Sequence, residues 1–234
     1  PGAAAVQVST VWMTRGDWNG ERILDQLSVQ SITDGLGEAG QVTGEAHPLV
    51  ARRGKAFRGA MPYGEGFFLA REEAESLISG NPKNRDVIRL YLRGEDLTTQ
   101  PDQKPTRYVI DFRDWSEEKC SREYPDCFSL VEARVKPQRL ALPDNNSTAR
   151  QRRRYWWRFS NDARELYRAL AGLARCFAIS RVTAHHVIAA AQTDIVLSER
   201  LVVFAFEKFA AFALLSSAIH EVWAYRPGTT THET

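Results

Sequence analysis

Apolar residues recur along this chain with two different periods, and the switches between them outline the elements. Phe67-Phe68-Leu69, Val87-Ile88-Arg89-Leu90-Tyr91-Leu92 and Arg107-Tyr108-Val109-Ile110-Asp111-Phe112 are short runs rich in β-branched and aromatic residues, which predicts strands. Pro101 and Pro105 mark the loop between the last two. Residues 70–79 carry good helix formers with Ala74, Leu77 and Ile78 on one face, and Gly80-Asn81-Pro82 closes that helix. A charged helix is expected over 116–124, and 128–135 extends it or starts another before Lys136-Pro137 stops it. Residues 143–147 read as a turn-rich loop, and Tyr155-Trp156-Trp157-Arg158-Phe159 as a strand. Helical spacing returns at 163, 166, 167, 170, 173 and 174, with Ser160 or Asn161 as cap. Strands follow at 176–179 and 182–183, an apolar segment at 187–191, and a turn or strand at 194–197.

The two ends of the chain are patterned differently. Residues 1–20 have no firm period, 22–29 suit either a strand or a short helix, and Gly35, Gly37, Gly40 and Gly44 break the pattern after them. The segment from Pro48 to Gly59, including Lys55 and Arg58, reads as strands separated by turns. At the other end, residues 200–224 predict the longest helix, followed by a Gly-, Thr- and Pro-rich tail expected to be disordered. The expected class is α+β: a mixed sheet with short helices and a long C-terminal helix. The boundaries are a connecting segment over 1–44, a main domain over 45–199, the helix over 200–224 and the tail over 225–234.

Composition narrows this picture. The 234 residues are 43% hydrophobic, enough for a core, and the formal net charge is only +2, so any basic surface must come from uneven placement. Cys120, Cys127 and Cys176 are too few for a disulfide framework, which points to a reducing, cytoplasmic setting. The start has neither a basic nor an apolar leader segment and no Met, as expected of an internal fragment. The apolar stretch 201–219 is interrupted by Glu207 and Lys208, which argues against a membrane span.

Several kinds of chemistry can be searched for by their spellings. A DNA amino-methyltransferase needs an Asn- or Asp-Pro-Pro-aromatic loop; Asn81-Pro82-Lys83-Asn84 shares two letters with it and reads better as a helix-ending turn. Restriction nucleases place an Asp and then Glu-x-Lys on adjoining strands to hold magnesium. Asp102 with Glu117-Glu118-Lys119 imitates the letters, but in a proline-flanked loop and a helix-like run. The cysteines and His185-His186 lack zinc-ligand spacing, and no nucleophile elbow or phosphate-cradling glycine loop occurs.

What stands out is charge placement, because residues 134–181 hold twelve Lys or Arg against three Asp or Glu. Within it, Arg150-Gln151-Arg152-Arg153-Arg154-Tyr155-Trp156-Trp157-Arg158 interleaves guanidinium groups with aromatics, as nucleic-acid surfaces do. The alternative is a strand whose tryptophans alternate between core and surface while the arginines are merely solvated.

The residues also resemble a known family. Gly54-Lys55-Ala56-Phe57-Arg58-Gly59 with Gly64-Glu65-Gly66-Phe67, Asn81-Pro82-Lys83-Asn84, and Tyr91-Leu92-Arg93-Gly94-Glu95-Asp96-Leu97 carry the first part of the likeness. Arg107 to Phe112, Tyr124-Pro125, Val135-Lys136-Pro137-Gln138-Arg139, Tyr155-Trp156-Trp157 and His220-Glu221-Val222-Trp223-Ala224 carry the rest. In order and spacing they resemble the target-recognition region of single-chain type II restriction-modification enzymes, which fuse nuclease, adenine-N6 methyltransferase and specificity functions. From Tyr225 the tail departs from the family's helical sequence.

The resemblance implies duplex DNA as partner, alongside the methyltransferase domain of the same polypeptide. It implies no cofactor in this segment, with S-adenosylmethionine and magnesium belonging to the parent enzyme. With the basic stretch, it nominates Lys55, Arg58, Lys136, Arg139, Arg152 and Arg153 as phosphate contacts. Arg181, Thr183, His185 and His186 are nominated as base readers, since a guanidinium and two imidazoles suit guanine O6 and N7. The competing expectations are a protein-interaction domain using Trp12, Trp18, Trp115 and the C-terminal helix, and a magnesium-dependent nuclease using Asp102.

Overall fold

β-Branched and aromatic runs become strands in this computed structural model, which describes residues 10–32, 54–183 and 185–225. The expectations for 33–53, and for the tail from 226 on, lie outside the described residues. The chain divides into two units, Pro1–Leu49 with Val222–Thr234, and Val50–Glu221. In the first, β1 (Arg22–Leu24) and β2 (Leu27–Val29) form an antiparallel hairpin, so the ambiguous segment is strand. Asp25 and Gln26, both at positive φ, make its two-residue turn, the backbone geometry that matches strand twist.

The larger unit holds two four-stranded sheets among its described residues. One has the order β4 (Phe68–Leu69), β6 (Arg107–Ile110), β5 (Ile88–Leu92), β9 (Val196–Leu197), antiparallel except for the β5–β9 pair. The other is antiparallel throughout: β3 (Ala56–Arg58), β10 (Leu201–Phe204), β7 (Cys176–Ser180), β8 (Ala189–Ala191). The class is therefore α+β with a mixed sheet, as the periodicity predicts.

One segment joins the two sheets. Val196 and Leu197 pair with β5, Ser198 N donates to the Leu92 carbonyl, and three residues later the same chain enters the second sheet as β10. At the crossing Ala60 N donates to the Leu197 carbonyl at 2.7 Å, and Glu199 N donates to the Ala60 carbonyl at 2.9 Å. The Tyr91 hydroxyl shares a buried 2.9 Å hydrogen bond with Ser198 Oγ beneath it.

This crossing corrects the long C-terminal helix expected over 200–224. Leu201 and Val203 are buried while Val202 and Phe204 are half-buried, the alternation of a strand. An all-apolar run does not by itself distinguish strand from helix, and here the β-branched Val202-Val203 pair decides. Beyond it come two short helices, α8 (Phe209–Leu215) and α9 (Ala218–Tyr225). They are parted by Ser217, whose Oγ accepts from the His220 amide as an N-cap. No helix among the described residues is long and apolar enough to cross a membrane.

The remaining helices are short and divide between the two sheets. α1 (Arg71–Gly80), α2 (Gly94–Thr99), α3 (Glu117–Glu123) and α4 (Pro125–Arg134) precede α5 (Lys136–Leu140), so Pro137 opens a helix rather than stopping one. α6 (Ser147–Arg154) starts at the Asn146 cap, whose Oδ1 accepts from the Ala149 amide. The strand expected at 155–159 is instead the turn that leaves α6. Trp156 and Trp157 both enter the core there, at 4% and 6% exposure, so they do not alternate between core and solvent. Trp156 lies against Phe128 at 5.2 Å, and Trp157 Nε1 donates to the Trp115 carbonyl at 3.0 Å. α7 (Arg164–Leu170) is shorter than the spacing predicts.

Candidate nucleic-acid interface

Arginines from four separated stretches of sequence meet along one side of the larger unit. Residues 148, 151 and 152 of α6, with Tyr155 at its C-cap, share a face at helical spacing. With Arg113, Arg139, Arg158, Phe159, Ser160, Asn161, Asp162 and Arg164 they enclose a pocket of about 430 Å³. Asn161, Asp162 and Arg164 are also a wall of a second depression of about 450 Å³, which adds Arg58, Glu165 and Arg168. The two form a trough lined by seven arginines and two carboxylates.

Four of these arginines are positioned by local interactions. Arg113 has a left-handed backbone because Asp111 Oδ1 accepts from its amide in a tight turn, and its charge lies 5.2 Å from the Trp115 ring. Arg152 stacks 3.5 Å over Tyr63 and donates from Nε to Ser160 Oγ at 2.7 Å. Arg158 donates from Nε to the Trp115 carbonyl at 3.0 Å. Arg164 is held at 2.6 Å by Asp162 and at 3.6 Å by Asp114.

Arg139 differs from the rest because it is only 2% exposed. Its Nη2 donates to the Pro62 and Tyr63 carbonyls, while its buried Nε has no partner. Its guanidinium lies 5.8 Å from the centre of the Tyr63 ring and 5.3 Å from that of Phe67. Burial, and then the neighbouring Arg152 charge, pull its pKa down to about 10, so it stays protonated at neutral pH.

The residues nominated from sequence are distributed unevenly over this surface. Arg58, Arg139 and Arg152 come together in the trough, with Arg139 as its floor rather than the surface cation expected. Lys55 is exposed at the start of β3, and Arg153 is half-buried on α6 away from the lining face. Lys136 is engaged elsewhere, 2.7 Å from Glu132 and 4.7 Å from the centre of the Trp156 ring. Arg113, Arg164 and Arg168 are not nominated from sequence, and Arg158 enters there only as part of the Arg150–Arg158 stretch.

The segment nominated for base reading follows β7 and does not line the trough, and Val182-Thr183 is not a strand. Arg181 pairs with Glu199 at 3.4 Å. Thr183 Oγ1 accepts from the His185 amide and donates to the His185 carbonyl, closing a small turn that leaves the His185 side chain exposed. His186 Nε2 donates to the Leu215 carbonyl at 2.7 Å, and His220 Nδ1 is 3.4 Å from the same nitrogen. Burial, and then His186, lower the His220 pKa.

That shift carries a pH prediction. Above the ordinary histidine value His220 is neutral in both folded and unfolded chains. As pH falls below it the unfolded chain takes up the proton first, so stability is drawn down until the folded pKa is reached. Acidification from about pH 7 to about pH 5 is therefore expected to lower the amide protection factors, each taken against the intrinsic exchange rate at that pH, in α8 and around His186. The slope should flatten in His220→Asn; an unchanged slope would remove His220 as its source.

Other candidates are settled by their surroundings. Asp102 sits in an exposed turn paired with Lys104, and Glu117 and Lys119 lie on α3, so the nuclease spelling is not on adjoining strands. Among the described residues no group of three or more His, Cys, Asp or Glu side chains converges as metal ligands would. The three cysteines are buried free thiols, pushed by desolvation to about 11 for Cys120 and about 12 for Cys127 and Cys176. Trp115 stacks on Tyr124 with Lys119 Nζ 3.8 Å from its ring centre, so it is not a free docking aromatic. Trp12, at 87% exposure, is open to solvent.

The larger unit is thus a mixed α+β scaffold presenting an arginine-lined trough. Residues 38–227 match the family model described as the MmeI target recognition domain, and the chain belongs to that family. No curated protein sequence matches it. Its fold is shared with the type IIL restriction-modification enzyme MmeI, solved in complex with DNA, at a TM-score of 0.64 and 15% identity. The match covers 86% of this chain but 26% of MmeI, so the chain spans about a quarter of that enzyme's length.

Proposed function

We propose that this target-recognition domain reads sequence in duplex DNA within a longer restriction-modification enzyme. The observation that carries the reading is the trough, whose two depressions share a wall and are lined by Arg58, Arg113, Arg152, Arg158, Arg164 and Arg168. Guanidinium groups pair with phosphates through planar, charge-assisted hydrogen bonds, and an elongated row of them suits a backbone rather than a lone ion. Lys55, exposed just before β3, is a further candidate contact. Arg153 and Lys136 are secondary candidates.

Base reading is assigned to the loop following β7. Its exposed His185 is the leading donor, and Arg181 becomes available only by exchanging Glu199 for a base edge. The methyltransferase domain of the same polypeptide would adjoin this segment. S-adenosylmethionine-dependent adenine methylation and magnesium-dependent cleavage are proposed for the longer enzyme, and no step of either is assigned to residues described above.

A titration tests the reading. Anisotropy of a labelled random-sequence duplex should show log affinity falling linearly with log salt, losing at least about tenfold between roughly 50 and 200 mM. A protein-interaction domain, docking through exposed residues such as Trp12, should give neither affinity nor slope. That result would end the DNA assignment.

A further inference from the structure

We propose that the pocket between α6, the 155–162 turn and Arg113 is a socket for a single DNA backbone phosphodiester, with Arg139 as the buried charge at its floor. This rests on the DNA reading above and adds to it a discrete site with a definite ligand.

The argument starts from an uncompensated charge. A buried guanidinium is ordinarily matched by a carboxylate, because leaving its charge unpaired in a low-dielectric setting is strongly unfavourable. Arg139 has only carbonyl partners, and its Nε has none. The charged group whose field reaches it is another cation, Arg152, which lines the same pocket and is held by the stack on Tyr63 and the Ser160 hydrogen bond.

The rest of the wall repeats the imbalance. Five arginines line the pocket against one carboxylate, Asp162, and that carboxylate is already bonded to Arg164. Thr148, Gln151, Ser160 and Asn161 add polar groups able to hydrogen-bond an oxyanion. Such a site is complete only with an anion. The shared wall with the Arg58–Arg168 depression shows where the charge continues, so the anion belongs to a chain of anions.

Arg152→Gln is the primary test, because Arg152 is half-exposed and its substitution leaves the core intact; Arg139→Gln and the double variant accompany it. Arg150→Gln, on another face of α6 and paired with Asp144, is the control. On the random-sequence duplex, Arg152→Gln should bind about tenfold more weakly and lower the salt slope by about one, while Arg150→Gln stays within about twofold. Because both arginines would hold the same phosphate, the double variant should lose less than the product of the single losses. Inorganic phosphate at constant ionic strength is the second arm.

If the unsubstituted chain does not bind the duplex, the DNA reading falls and the socket with it. If it binds, but Arg152→Gln keeps the same affinity and slope, only the socket falls. If phosphate raises the melting temperature of the unsubstituted chain but not of Arg152→Gln, while duplex binding ignores the substitution, the pocket takes free phosphate and the proposal is overturned.

Discussion

Phe67→Ala is expected to destabilise the domain by about 3–5 kcal/mol, the range for truncating a fully buried aromatic where the surroundings cannot collapse. Phe67 is completely buried in a short turn, Glu65–Phe67, that enters the core ahead of β4. Its ring meets Phe159 edge-on at 5.4 Å and carries the Arg139 guanidinium 5.3 Å from its centre. The neighbouring Gly66 leaves no room to relax, since a Cβ there would press on Arg134 and Val135. Domains of this size are stable by roughly 5–15 kcal/mol, so the loss is a large share. It should appear as a lower urea midpoint with unchanged slope, whereas Phe209→Ala, at 58% exposure, should shift it far less. Equal midpoints for Phe67→Ala and the unsubstituted chain would mean this turn is not part of the cooperative core. The truncation also removes the ring beneath Arg139, so the trough should lose order with the core.

How far the sequence could be read depends on which signals are local. β5, β6, β7, α1 and α3 were legible because each has its own period, or its own cap and breaker, within about ten residues. Ser116 accepts from the Lys119 amide and starts α3 where its residue type suggests it should. The 200–224 run was misread because its apolar residues face two partners in turn, the first core through Leu201 and Val203 and the smaller cluster around α8 through Phe204. Trp156 and Trp157 were misread because aromatic content favours a strand only when nothing closer decides, and α6 ends immediately before them.

The candidate site was legible only in part, because a charge count does not distinguish paired from unpaired cations. Of the arginines within the 134–181 excess, Arg134 is held by Glu73, Arg150 by Asp144, Arg164 by Asp162 and Arg181 by Glu199. Glu73 lies 61 residues from its partner, beyond the reach of any local pattern. Arg139, Arg152 and Arg158 are bonded to carbonyls, a hydroxyl and aromatic faces, which only the fold reveals. Arg58 and Arg113 come from outside the basic stretch altogether. One signal was present in the chain: Asn146 as a cap would have placed Thr148, Gln151, Arg152 and Tyr155 on one helical face.

Gly59→Ala should cost about 3 kcal/mol or more, through a different mechanism from a core cavity. Gly59 follows β3 where the two sheets cross, and its backbone is not in the left-handed region that only glycine favours. The constraint is space: a Cβ would stand inside van der Waals contact of the Leu197 and Ser198 carbonyl oxygens. Relieving that overlap means moving β3 away from the 196–200 segment, which breaks the Ala60–Leu197 and Glu199–Ala60 hydrogen bonds together. Buried backbone groups left unpaired cost about 1–3 kcal/mol each, so the two losses compound the overpacking. Amide exchange should show the damage concentrated at Ala60, Ser198 and Glu199, with β6 least affected. Uniform acceleration across both sheets would instead mean that the crossing is no weaker than the rest of the fold. Since β3 also carries Arg58, the same shift should narrow or tilt the outer half of the trough, and DNA affinity should fall even where the variant remains folded.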